Sequence, residues 1–263
     1  MISVAQNFGK SLIDLFYLVG GVYLLFQKSL SETLKRPFYF KLIIDQIYHI
    51  GIRSTWLVLA TAMSTGMVMT LQYGYGLEKF GGKLYIPKLV ALSIVKEMGP
   101  VFTSLMLAAR VGAGIASEIG SMKVTQQIDA IRALGTSPIK KIVIPRILAT
   151  LICLPLLTVL ADTVGILGGL LVGVTELQMD SAFYVQKVFD SLTIQDYAIG
   201  LGKTVVFALV ISTVACYFGM KANSGTRGVG IATTQSVMTS SIIIVVSDFF
   251  LTKLFWLVTQ WVS

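Results

Sequence analysis

The sequence predicts an all-α integral membrane protein: an N-terminal interfacial helix, then five transmembrane helices, with one amphipathic helix on the cytoplasmic side. Three observations predict it. Hydrophobic residues make up 55% of the 263-residue chain and charged residues only 13%. Soluble domains average about 45–50% and about 25%, so charge this sparse cannot cover a wetted surface. Mean hydropathy is +0.80. Five apolar stretches are long enough for a bilayer, which takes roughly 20 residues of helix. The chain divides into an N-terminal region, 1–52, and a five-helix domain, 53–263, with no room for a second soluble domain.

Leu12 to Phe26 is short for a span and contains Asp14, with Lys28, Lys35, Arg36 and Lys41 following. It reads as a helix lying in or dipping into the interface; a tilted first span is the alternative. The N-terminus lacks a basic start and a small-residue cleavage site, so it does not resemble a removable signal peptide. The spans follow: Thr55 to Tyr75, Pro87 to about Ser117, Ile142 to Val174, Tyr197 to Met220 and Val237 to Val262. The second and third exceed the minimum and must tilt, kink or extend beyond the lipid. Pro100 and Pro155 lie inside them and are candidate kinks.

Loop charges set the orientation. The segment before the first span is basic. Arg110, Lys123, Arg132, Lys140, Lys141 and Arg146 oppose Glu118 and Asp129 between spans two and three. Lys221 and Arg227 stand without an acid between spans four and five, whereas Glu176, Asp180, Asp190 and Asp196 outnumber Lys187 between three and four. The N-terminus is therefore expected in the cytoplasm and the C-terminus outside. One loop dissents, with Lys79, Lys83 and Lys88 against Glu78. The net charge of +8 is accounted for by these cytoplasmic loops rather than by nucleic-acid binding.

Cys153 and Cys216 fall inside apolar runs, so neither a disulfide nor a metal site is expected, and His49 is the only histidine. Ala108, Gly112, Ala116 and Gly120 form one small-xxx-small row and Gly165, Gly169 and Gly173 another. Such rows let helices approach closely, within the chain or between subunits.

Ionisable groups inside spans are costly and often functional. Lys96 and Glu97 precede Gly99 and Pro100 in the second span, Asp162 lies in the third, and Asp248 and Lys253 in the fifth. They either line a polar cluster between helices or snorkel to water. "YAIGLGKT", Tyr197 to Thr204, ends like a phosphate-binding loop but has tyrosine where the motif needs its first glycine. No hydrolase or zinc-protease motif is present either. Enzyme chemistry has no foothold.

In "EIGSMKVTQQIDAIRALG", Glu118 to Gly135, Val124, Ile128, Ile131 and Leu134 fall at helical spacing. Polar residues fill the other faces, and Gly135 and Pro138 supply a stop. A cytoplasmic amphipathic helix over 118–135 is expected. Pattern alone suits passive membrane contact; attachment to two long spans also suits a lever.

The stretch from "LVALSIVKEMGPVFTSLMLAARVGAGIASEIGSMKVTQQIDAIRALG" through "IPRILATLICLPLLTVLADTVGILGG" resembles the signature core of MlaE-type (YrbE-type) permeases. These are membrane subunits of ABC transporters that work with MCE-domain proteins. "GVGIATTQSVMTSS" and "SDFFLT" fit as well, so the resemblance runs from about Ser54 onward. Gln126 departs from it, standing where the family usually has glutamate.

The resemblance implies a homodimer in the bacterial inner membrane, docked on a cytoplasmic ABC ATPase that binds the ATP; the chain itself needs no cofactor. It implies a periplasmic MCE-domain partner, often a STAS-domain subunit on the ATPase, and phospholipid or a related lipid as cargo. Glu118, Met122, Lys123, Gln127, Ile128, Asp129, Ile131 and Arg132 become the coupling residues. A lipid pocket opening outward at the dimer interface, formed mainly by the first and fifth spans, would draw on Met67, Leu71, Tyr75 and Ile243, with Glu97 and Asp248 as its polar part and Lys96 as a further polar group within the spans. An ion-coupled secondary transporter using Glu97, Asp162 and Asp248 is the rival reading, and a cargo-free membrane scaffold a third.

Overall fold

The computed structural model describes residues 2–33, 39–223 and 225–262, and every element among them is helical. In chain order they are α1 (Ile2–Thr33), α2 (Phe40–Leu77), α3 (Gly82–Val124), α4 (Gln127–Ala133), α5 (Ile139–Thr175), α6 (Ser181–Ser191), α7 (Ile194–Lys221) and α8 (Gly225–Val262). Helices α2, α3, α5, α7 and α8 are long and apolar enough to cross a membrane. Each starts earlier than its apolar run, because hydropathy marks the lipid-embedded stretch while backbone hydrogen bonding carries the helix into polar flanks. The boundary expected at 52/53 thus falls inside α2.

Helix α1 is longer than the Leu12–Phe26 segment read from hydropathy. It is tied down at two points. A Cβ at Gly21 would overlap the Tyr217 ring of α7, and the Ser137 hydroxyl, just before α5, donates to the Glu32 carboxylate. Lys35 and Arg36, counted among the basic residues before the first span, lie outside the described residues.

The core lies around α5 and α7, whose apolar stretches are 67% and 61% buried, against 22% for α2 and 6% for α8. Helices α2 and α8 therefore offer most of their apolar surface outward. Helix α2 packs along α5 with backbones nearly touching, since a Cβ at Gly66 would overlap the Gly165 carbonyl. Both small-residue rows serve packing within the chain. Gly165 faces Ala62 and Ile94, Gly173 faces the Tyr184 ring, and Gly120 meets Ala222 and Val229.

Four π-helical turns interrupt these helices: Tyr48–Ile52, Ile94–Met98, Ala108–Gly112 and Ile139–Val143. Such turns are rare and cluster at functional sites. Pro100 lies two residues past the end of the second of them, whereas Pro155 sits within a continuous α5.

Candidate functional site

The π turn Ile94–Met98 and the proline after it create an acceptor without a donor. In an α-helix the N–H of residue 100 would bond the carbonyl of residue 96, but proline has no N–H. Helix α7 comes close enough to serve that carbonyl because a Cβ at Gly200 would overlap the Val95 carbonyl oxygen. One turn further on, Lys203 reaches across, and its Nζ donates to the Lys96 carbonyl at 3.2 Å.

Lys203 is fully buried and anchors an ion cluster. Nζ also donates to Glu97 Oε2 at 2.6 Å and to Thr252 Oγ1 at 2.7 Å. Those three bonds use the three protons of an ammonium group. Asp248 Oδ1 lies 3.0 Å from Nζ as a charge contact and receives no hydrogen bond among the described residues. Thr252, one turn past Asp248, closes the cluster, with its hydroxyl 2.9 Å from the Asp248 carbonyl and 3.3 Å from Glu97 Oε1. Two carboxylates therefore share one lysine where α3, α7 and α8 meet.

The structure thus joins Glu97 and Asp248, as the sequence pattern allowed, but through a residue that reading passed over. In the sequence Lys203 belongs to the string that ends like a phosphate-binding loop. That segment is helical throughout, and its lysine faces carboxylates rather than a nucleotide loop. A signal was available: Lys203 is the single charged residue between Tyr197 and Met220. Lys96 turns away from the cluster and pairs with Asp196 Oδ1 at 2.7 Å. Asp196 is held by a capping box, accepting from Thr193 N and Oγ1 at 2.9 and 2.7 Å. Lys96 so fixes α3 to the start of α7. Asp162 is buried against Gly99, and its Oδ1 receives no hydrogen bond among the described residues. Lys253 is exposed.

At the opposite end of α3 the expected single helix over 118–135 is two helices. α3 stops at Val124, Gln126 takes a left-handed backbone with φ 61°, and α4 begins at Gln127. The apolar stripe splits accordingly. Ile128 is buried and Ile131 and Met122 pack on the main core, while Leu134 is 83% exposed. Glu118 is committed to Arg146 of α5 at 2.8 Å. Asp129 bridges Lys123 and Arg132 at 3.1 and 3.2 Å, and Gln127 is exposed. The eight predicted coupling residues thus divide into an inward root, an ion-paired brace and an outward face.

Met67, Leu71, Tyr75 and Ile243 are not brought together within one chain. The first three are on α2, which packs on α5; Ile243 is on α8 and packs beside Val214 and Phe218 of α7. Tyr75 is 67% exposed. The larger cavities lie elsewhere. One of about 690 Å³ separates α1 from the α7–α8 turn at Tyr17, Lys221 and Arg227. An apolar one of about 400 Å³ lies under α6 at Leu167 and Phe189.

The sequence profile of the family described as Permease MlaE matches residues 43–254. The chain belongs to the MlaE permease family. A probable ABC transporter permease protein of Rickettsia bellii is 39% identical over 255 residues, covering 97% of this chain and 98% of the relative. A probable ABC transporter permease protein of Synechocystis is 34% identical over 251 residues, covering 95% and 92%. The intermembrane phospholipid transport system permease protein MlaE of Haemophilus influenzae is 31% identical over 256 residues, covering 97% and 98%. In this MlaE-family permease the Lys203 cluster and the α3–α4 turn both fall inside the matched stretch, whereas α1 precedes it.

Proposed function

We propose that this permease moves phospholipid as a homodimer, driven by a separate cytoplasmic ABC ATPase that binds the ATP and presses on the α3–α4 turn. A periplasmic MCE-domain partner passes the lipid between the inner membrane and the outer envelope, and a STAS-domain subunit sits on the ATPase. In this reading the N-terminus is cytoplasmic and the C-terminus periplasmic, which the balance of loop charges supports. The observation that carries this reading is the build of α4. Ile128 roots it in the core, while Leu134 stands exposed beside Gly135 and Arg132. A push on that face is delivered to α3 and, through the Arg146–Glu118 pair, to α5.

The lipid pocket belongs to the dimer. The outward apolar faces of α2 and α8 supply Met67, Leu71, Tyr75 and Ile243 from two chains, with the Lys203 cluster as the polar tie behind them. Methionine suits variable acyl chains because its unbranched thioether adapts to irregular space.

Proteoliposomes holding the permease and its ATPase test this directly. Transfer of a fluorescent phospholipid is expected only with ATP, and is lost in Leu134→Asp. The ion-coupled alternative draws on Asp162, whose buried Oδ1 lacks a hydrogen bond. Transfer driven by a proton or sodium gradient without the ATPase would establish that alternative instead.

A further inference from the structure

The π turns Tyr48–Ile52 and Ala108–Gly112 flank one cavity of about 230 Å³ between α2 and α3, near the α4 end of α3. Its polar lining is Gln46, His49, Arg53, Arg110 and Glu118. We propose that this cavity binds the phosphate group of an anionic phospholipid from the leaflet on that side. It is a site apart from the outward pocket, and it rests on the orientation proposed above only for naming that leaflet cytoplasmic.

Charge carries the argument. Glu118, the one carboxylate in the lining, is already bound to Arg146 at 2.8 Å, which leaves Arg53 and Arg110 without an acid of their own there. Asp45, next in sequence to the lining residue Gln46, is exposed and does not line the cavity. Arg110 has no ion pair among the described residues, and Arg53 is held only over the Tyr48 ring, 5.7 Å from its centre. Arg53 and Arg110 are both exposed and so open to an anion from outside the protein, and their planar forks match phosphate oxygens in pairs.

Shape and surroundings favour a lipid over a free ion. The rest of the lining includes Ile50, Val111 and Ile115, an apolar floor of no use to inorganic phosphate. Along α2 from Arg53, Ile52 and Trp56 are 64% and 82% exposed, and tryptophan settles at the headgroup level of bilayers. Gly114 lines the cavity as well, and a Cβ there would meet no atom within 4 Å. Its space is open for a ligand.

The test is native mass spectrometry on the full-length permease in detergent, titrated separately with dioctanoyl phosphatidylglycerol, dioctanoylglycerol and inorganic phosphate. Phosphatidylglycerol is expected to bind, with phosphate competing and dioctanoylglycerol failing. Its Kd is expected to rise about tenfold or more in Arg110→Gln and Arg53→Gln, each of which removes a charge-assisted contact. Gly114→Leu should do the same by filling the cavity with every charge intact, and it keeps the test open if an arginine variant does not fold. Binding of phosphate alone, with the same sensitivity to these variants, upholds the phosphate site and makes its source a soluble ion. Phosphatidylglycerol affinity unchanged across the three variants overturns the proposal, as does no binding of either phosphate compound. Protection of Arg110 by the ATPase without phosphate binding also overturns it, making the cavity a protein contact. ATP-dependent transfer and its loss in Leu134→Asp are read separately, so failure here leaves the coupling assignment standing.

Discussion

Lys203 donates to the one carbonyl that Pro100 cannot serve: its Nζ lies 3.2 Å from the oxygen of Lys96, four residues before the proline. A helix defect on α3 and a buried cation on α7 therefore complete each other. The two flanking carboxylates, Glu97 and Asp248, need that cation more than it needs either of them.

Lys203→Met should accordingly destabilise the permease by about 3–5 kcal/mol, the usual cost of leaving buried partners uncompensated. Adding Glu97→Gln and Asp248→Asn to it should restore much of the loss. Denaturant titration in detergent reads both, and a triple variant no more stable than Lys203→Met alone would show that the cluster is not the cause.

Gly200→Val should push α7 away from the Val95 carbonyl and cost about 1–3 kcal/mol, as overpacking does. Because the same approach lets Lys203 reach α3, its effect should be much smaller in the Lys203→Met background. A double-mutant cycle measures the coupling, and simple additivity would refute it.

Leu134→Asp and Ile128→Asp should part company, although both residues belong to the same apolar stripe. Leu134 is exposed, so its variant keeps the wild-type melting temperature and loses ATPase binding. Ile128 is 1% exposed, so its variant places a carboxylate in the core and loses stability first. Thermal melts beside a pull-down with the ATPase separate the two, and Leu134→Asp retaining full ATPase binding would count against the outward face of α4 as the docking surface.

Two alanine substitutions on α2 should have opposite signs. Gly76→Ala meets no atom within 4 Å and should gain about 0.5–1 kcal/mol from reduced backbone entropy. Gly66→Ala collides with the Gly165 backbone, which has no side chain to swing aside, and should destabilise. Melting temperatures in one detergent decide it.

The spans and their flanking charges were legible because twenty apolar residues in a row have few other uses in a chain. Glu97 and Asp248 were legible because carboxylates inside such runs stand out. Lys203 did not, since it sits early in its span, inside a string resembling a nucleotide loop. The break at Gln126 left no trace either: glycine or asparagine would have announced a left-handed residue, and glutamine does not. The π turns depend on packing between helices and have no local signature. His49 stands in the sequence only as the single histidine and Arg53 has no signal at all, since the cavity they share with Arg110 exists only once α2 and α3 are side by side.

Helix α3 carries two π turns, one on either side of Gly99–Leu107. Each holds one residue more than an α-helical turn, and giving that residue up turns everything beyond it by about 100° and draws it in by about 1.5 Å. The segment between them is in effect a shaft between two bearings, with the lysine cluster at one end and the arginine cavity at the other. Deleting Met98 should leave the helix content intact yet rotate Glu97 out of register with Lys203, so that Lys203→Met lowers the melting temperature less than it does without the deletion, Asp248 alone still depending on the lysine.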